Sequence, residues 1–390
     1  MDKAFLRPLG RGANAKKGEE RRPPLQWALR VLARDDYRAT FEALLSSRPP
    51  IRLSSLAERA GYPTEVVKSR LRRLLGMGFR FRADINETAM GLTTLFVSLK
   101  KPVEPDPELR VRGFNEVLKW TLRWKANSLI GERRGFMMFY VPMDLNAIES
   151  IVDEVSSRFP VEESLVLIET LRNRPSPDTL TRDFAKTDWG KVFEFDFRDS
   201  PGASISSLGA ELGAWPVRVD LLDLLIAAAY HADALTKPSA LAKRLGVSRQ
   251  RLMKHLEGHA ARFFTGVSIA RSVATDDLIC VLALGRGDLG SCRLLLLALR
   301  RAFEFSVGSI SDSDRVIFLL ALRPDNLAKS LEIINANARR LGVELSFYVL
   351  DNSSIESYTV PFLSFSQHAR GWDLNASMIE FMKAKLRSLL

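Results

Sequence analysis

Cysteine is scarce: the chain has two in 390 residues, Cys280 and Cys292. They are too far apart for a Cys-x-x-Cys site, and no histidine cluster joins them, so neither a disulfide framework nor a bound metal is expected. Both sit in apolar patterns and read as core residues. Long hydrophobic runs are also missing. Leu221–Tyr230 and Leu294–Leu299 are too short or interrupted to span a bilayer, so no membrane partner is expected. The first residues are basic but lack an uninterrupted apolar stretch, so the expectation is no signal peptide and a reducing, cytoplasmic (nucleoid) location. P-loop, HExxH, GxSxG and paired-carboxylate patterns are absent, which removes the commonest catalytic signatures.

Positive charge is abundant and unevenly placed. The formal net charge is +11. Residues 1–34 are net +6, residues 56–82 net +5 and residues 241–271 net +6, so the rest of the chain is net −6. Such segregation points to an acidic partner met by three particular segments.

Two of those segments are copies of one another. Leu56-Ala57-Glu58-Arg59-Ala60-Gly61 recurs as Leu241-Ala242-Lys243-Arg244-Leu245-Gly246, 185 residues later without a gap. Asp35 aligns with Asp220, Val67 with Leu252 and Leu71 with Leu256. Further on, the offset becomes 182: Phe136 aligns with Phe318, Pro142 with Pro324 and Val161 with Val343. The change falls between strands, where a deletion is tolerated.

Within each copy the rhythm changes once. Asp35–Leu45, Leu53–Ala60 and Pro63–Leu75 carry helical apolar spacing, and 79–85 alternates as a wing strand. Then come a strand at 94–99, a helix at 108–120, strands at 124–130 and 135–141, a helix at 144–158 and a strand at 164–170. The predicted class is α+β: a tandem duplication of a winged helix-turn-helix plus a ferredoxin-like βαββαβ domain. The predicted organisation is a basic flexible arm (1–34), winged helix 1 (35–90), ferredoxin-like domain 1 (91–171), a linker (172–216), winged helix 2 (217–274), ferredoxin-like domain 2 (275–352) and a C-terminal extension ending in an amphipathic helix (353–390). Within the linker, 192–197 alternates like an edge strand.

A helix-turn-helix needs a small residue where its helices cross, a residue tolerant of positive φ in the turn, and an apolar residue facing back. Ala57, Gly61 and Val67 meet these needs in the first copy, and Ala242, Gly246 and Leu252 in the second. The polar side of the second helix is the surface that fits a major groove. It offers Thr64, Lys68, Ser69, Arg70, Arg72 and Arg73 in copy one, and Ser248, Arg249, Gln250, Arg251, Lys254 and His255 in copy two. Arg59, Lys243 and Arg244 suit backbone phosphates beside the first helix, and Arg80 and Arg82 suit phosphates at the wing. The partner expected is double-stranded DNA.

These residues resemble the leucine-responsive regulatory protein/AsnC family of transcription regulators. The likeness rests on Asp35–Arg82, with its Leu56–Gly61 and Val67–Leu71 segments, and on Gly91-Leu92-Thr93-Thr94 at the start of the next domain. It implies a winged helix-turn-helix followed by a regulatory ferredoxin-like domain. Family members dimerise through the latter, so a tandem chain implies an intramolecular pseudo-dimer, with a homodimer as a further level. The resemblance also implies that Gly131 lies in an effector region, and hence a small-molecule effector; Ser313 stands at that place in copy two.

The bland alternative is a protein-interaction scaffold of the transcription machinery, because winged helices also bind proteins. A second alternative comes from sirohaem decarboxylases, which share this fold and need histidine in the sheet domain. Residues 91–171 contain none. The sequence expectation is therefore a DNA-binding regulator or nucleoid-associated protein, not an enzyme, with no cofactor. Gly285-Arg286-Gly287-Asp288-Leu289-Gly290 matches GxGxxG, but strands and helices follow in ββαβ order, so it reads as a connecting loop.

Overall fold

The computed structural model describes residues 31, 34–106, 110–130, 133–172, 184, 186–193, 219–271, 278–302, 307–311, 314–362, 365–366 and 371–372. The basic arm but for two residues, Gly131, Ser313, most of the linker and the C-terminal helix lie outside these residues.

Helices α1 (Asp35–Leu45), α2 (Leu53–Ala60) and α3 (Thr64–Gly76) form the first helical unit. Tyr37, Phe41, Leu44 and Leu45 of α1 are buried against Leu56 and Ala57 of α2 and Val67, Leu71 and Leu74 of α3. Each fully buried Leu, Val or Phe among them contributes about 1.5–3 kcal/mol. Gly61 ends α2 in the left-handed region at φ 69°, and Gly246 takes the matching place at φ 64°. The second unit consists of α7 (Leu221–Ala232), α8 (Pro238–Arg244) and α9 (Arg249–Glu257). Asp220 and Asp223 start α7 with a reciprocal capping box.

The alternating segments that follow do not stand out as wings. Strand β1 (Arg80–Ile85) pairs antiparallel with β8 (Phe264–Arg271), setting Phe81 opposite Ile269 and Ala83 opposite Val267. The two copies are thus tied by one two-stranded ribbon. Alternation had shown that a strand exists; only the fold shows that its partner lies some 180 residues away.

The sheet domains consist of β2 (Leu92–Leu99), α4 (Glu116–Thr121), β5 (Leu122–Asn127), β6 (Gly135–Pro142), α5 (Leu145–Arg158) and β7 (Val161–Arg172), then β9 (Ile279–Arg286), α10 (Leu289–Ala302), β10 (Val307–Ser311), β11 (Arg315–Leu322), α11 (Leu327–Arg340) and β12 (Glu344–Val349). Two-residue strands β3 (Pro105–Asp106) and β4 (Arg110–Val111) pair with each other in the first domain. A short helix, α6 (Trp189–Val192), replaces the start of the expected edge strand and buries Phe193 against the second sheet domain. The expected helix over 108–120 begins only at Glu116, because Arg110 (φ 64°) and Gly113 (φ 88°) turn the chain and Asn115 caps Leu118 N.

Strand order is β12-β9-β11-β10-β7-β2-β6-β5, followed by the short β13 (Glu356–Ser357). Each half therefore has the 4-1-3-2 order of a ferredoxin-like sheet. The halves join where β10 pairs with β7. Their other edges also meet: Leu129 N donates to Val349 O at 2.7 Å and Asp351 N to Asn127 O at 2.8 Å. The sheet closes around Phe96, Trp124, Phe136, Leu165, Leu282, Ile317 and Leu350. Helices α5, α10 and α11 cover the outer faces. Burial on both faces explains why these strands read as apolar runs.

Packing between units is crossed. The second helical unit rests on Met90, Leu92, Trp120 and Tyr140 of the first sheet domain, together with Val360 and Phe362. The first helical unit contacts Leu278 and Ala321 of the second half. Gly285 and Gly287 have a steric role. A Cβ at Gly285 would lie 2.6 Å from Val316 Cγ1 and 2.7 Å from Leu345 Cδ2, and one at Gly287 would lie 2.9 Å from Val343 Cγ2. The GxGxxG pattern thus begins inside β9 and runs through the short connection at Gly287-Asp288 into α10, with packing leaving no room for a side chain at Gly285 or Gly287. No helix among the described residues is long and apolar enough to cross a membrane.

Candidate nucleic-acid interface

Helix α3 buries Val67, Leu71 and Leu74, which turns Thr64, Glu65, Ser69, Arg72 and Arg73 outward. Lys68 is half-buried and pairs with Glu65 at 3.1 Å. Helix α9 buries Leu252 and Leu256 and exposes Arg249, Gln250, Arg251 and Lys254. Ser248 caps α9 by accepting from Arg251 N at 3.2 Å. Lys243 is exposed and Arg244 half-buried on α8. At the inner end of α9, Glu257 meets Arg52 of the first unit at 3.6 Å.

Several residues chosen from sequence face the protein instead. Arg70 donates to Asp36 O at 2.8 Å, pairs with the Asp36 carboxylate at 3.4 Å and lies 3.9 Å from the Tyr62 ring centroid. Only 11% of its side chain is exposed, so it fastens α3 to α1. His255 turns inward to Asp223 at 2.8 Å. Arg82 reaches Ser268 Oγ across the ribbon at 3.3 Å, and Ser268 donates to Asp84 at 2.7 Å. Its assignment to a phosphate-binding wing is corrected accordingly: the strand that carries it is occupied by β8. Arg80 stays exposed while donating to Leu75 O and Phe79 O at 2.9 and 2.8 Å, closing the end of α3. Arg59 remains exposed while reaching Ser46 O at 3.4 Å. The effector candidate Gly131 lies outside the described residues.

Sequence reasoning missed one cluster. Asp223 has no exposed side-chain surface and lies between His255 Nδ1 (2.8 Å) and His259 Nδ1 (3.3 Å). Burial pushes its carboxyl above the usual range, against the pull of the His255 hydrogen bond. The signal available in sequence was the His255-x-x-x-His259 spacing; the carboxylate partner comes from α7, 32 residues earlier than His255.

The first sheet domain holds a second set of buried charges. Arg110 lies 4.7 Å from the Trp120 ring and 4.1 Å from that of Tyr358, and burial lowers its guanidinium to about 10. Arg123 pairs with Glu87 at 3.0 Å and Lys125 with Glu356 at 3.6 Å. These pairs tie the C-terminal extension and the start of β2 to the sheet.

No family profile and no curated protein matches the chain. Among solved structures, siroheme decarboxylase NirDL in co-complex with an iron-uroporphyrin III analogue is 11% identical over 91% of this chain and 100% of that one, with a TM-score of 0.50. NirDL in a second structure is 13% identical over 90% and 98%, with a TM-score of 0.48. The leucine response regulatory protein LrpA of Mycobacterium tuberculosis is 24% identical over 34% of this chain and 90% of its own, with a TM-score of 0.22. At such identities the likeness is one of fold. The resemblance to regulators spans a third of the chain, whereas the full-length match is to an enzyme. The expectation that the chain is not an enzyme therefore does not stand: its whole-length fold is one on which an enzyme is built.

Proposed function

We propose that the chain binds double-stranded DNA through the exposed faces of α3 and α9, as a transcription regulator or nucleoid-associated protein. The observation that carries this reading is the outward display of Arg72 and Arg73 on one recognition helix and Arg249, Gln250, Arg251 and Lys254 on the other. Arginine pairs bidentately with guanine and glutamine with adenine, while lysine and the remaining arginines neutralise phosphates. Arg59, Arg80 and Lys243 add exposed cations beside the two helices. One chain supplies both helices, an intramolecular pseudo-dimer joined by the β1–β8 ribbon. Because the two faces differ, the favoured operator has two unequal half-sites.

The test is fluorescence anisotropy with random genomic duplexes over a salt series. Affinity is expected to fall with log salt at a slope of about −0.9 per phosphate neutralised. No binding even at low salt overturns the reading. Since the fold also carries a decarboxylase, the same preparation is titrated with an iron tetrapyrrole and followed by absorbance. A stoichiometric spectral change without DNA affinity would replace regulation with tetrapyrrole chemistry.

A further inference from the structure

We propose that Asp223, His255 and His259 bind one divalent transition-metal ion of the zinc class, clamping the end of recognition helix α9 to α7. Three donor atoms, one carboxylate oxygen and one ring nitrogen from each histidine, all lie within 4.8 Å of one another. Two ligands on a tetrahedral zinc, each about 2.0–2.1 Å from the ion, stand about 3.3 Å apart. The Asp223 Oδ2 to His259 Nδ1 distance is 3.3 Å. His255 Nδ1 is 2.8 Å from the other carboxylate oxygen, so a small rotation of the ring opens the same spacing. Imidazole and carboxylate donors together suit zinc better than a hard cation such as magnesium.

Burial supports the same assignment. Asp223 has zero side-chain exposure, His255 has 16% and His259 has 51%. A buried carboxylate is stabilised by a cation beside it, and the open His259 side gives the ion an approach from solvent. Asp220, half exposed with its carboxylate 3.7 Å from His255 Nδ1, stands where it or a water completes four ligands. Asp223 Oδ2 also accepts from Asp220 N at 3.1 Å, a backbone contact that orients the ligand.

The first copy shows that the helix-turn-helix framework does not itself demand this constellation. At the 185 offset, Arg38, Arg70 and Leu74 occupy the three positions. There, the residue equivalent to His255 joins its recognition helix to α1 by a guanidinium–carboxylate pair, Arg70 with Asp36. Copy two makes the corresponding tie with side chains that ligate metals. His259 lies beyond Gly258, which ends α9, so an ion there fixes both the helix end and the turn after it.

The experiment is calorimetric titration of Zn²⁺ into the full, chelator-treated chain, with melting temperature as a second readout. One equivalent is expected, with tighter than about 10 μM affinity and a rise in melting temperature. Affinity is expected to fall at least tenfold in His255→Gln, His259→Gln and Asp223→Asn. Because His259 is half exposed, H259Q is expected to melt like the parent without zinc while losing the zinc-induced rise. Absence of binding by the parent overturns the proposal, as does unchanged zinc binding in H259Q. The titration contains no DNA, so its outcome is separate from that of the DNA-binding reading.

Discussion

Arg70 and Arg72 are two residues apart on α3, and the structure turns the first inward and the second outward. Arg70→Ala removes a charged hydrogen bond to Asp36 O, worth about 1.5–3 kcal/mol, and a cation–π contact with Tyr62 worth about 0.5–1 kcal/mol. The carboxylate of Asp36 is 29% exposed, so the ion pair itself adds under about 1 kcal/mol. The expected loss is about 2–4 kcal/mol of stability, read as a fall in urea midpoint of up to about 1 M. Arg72→Ala removes an exposed side chain and should leave stability within about 0.5 kcal/mol. Its effect is expected on DNA, as a weakening of about 5- to 150-fold, equivalent to 1–3 kcal/mol per base contact. Denaturation and anisotropy on both variants decide the matter. If Arg72→Ala unfolds as easily as Arg70→Ala, or if Arg70→Ala weakens DNA binding at full stability, the assignment of inward and outward arginines is wrong.

Replacing Arg249 and Arg251 together by Ala should flatten the salt slope by about two contacts, and an unchanged slope would mean α9 does not touch phosphate. Gly246→Ala should lose about 1–2 kcal/mol through its φ of 64° alone, because nothing lies within 4 Å of the added Cβ; Asn there should recover part of that loss in thermal melts. Phe136→Ala opens the space between the paired sheets and should cost about 3–5 kcal/mol in equilibrium unfolding, a change below 1 kcal/mol being incompatible with its complete burial. Burial raises both thiols to about 11. Below pH 9 the native and unfolded chains both hold them protonated and this contribution to stability is complete; it is lost as pH rises from 9 to 11. Iodoacetamide at pH 7.5 should therefore label the native chain far more slowly than the urea-unfolded chain, and equal rates would contradict the burial.

The sequence made much of this legible because local rules and global packing agree. Ala57, Gly61 and Val67, and again Ala242, Gly246 and Leu252, announce their helix crossings by spacing alone. The strands stand out as apolar runs: the expected 135–141 is observed as Gly135–Pro142, and the expected helix at 144–158 as Leu145–Arg158. What stayed hidden depended on partners distant in sequence. Nothing in the alternation of 80–85 names β8 as its neighbour. Helical periodicity sets Arg70 and Arg72 about 200° apart, with Arg70 nearer the stripe of Val67, Leu71 and Leu74; what it does not name is Asp36 and Tyr62, the partners that hold Arg70 in. The Asp223–His255–His259 cluster needs α7 and α9 to be docked before its members meet. Gly113 and Asn115 mark the break at 110–115 in the sequence itself, but not the left-handed turn at Arg110, which is held by two aromatic rings, one of them on the distant Tyr358.

The crossed packing bears on how the chain is made. Ala234 N donates to Phe81 O, and Trp372 Nε1 reaches back to Met90 O at 2.8 Å. The first helical unit, though synthesised early, leaves the ribbon edge of β1 unpaired until residues 264–271 have emerged. At roughly 5–20 residues per second, that wait is on the order of ten seconds or more. During it, an open strand edge is exposed to neighbouring nascent chains. Once complete, the molecule should unfold in one cooperative transition rather than in two halves, since each half borrows part of its core from the other.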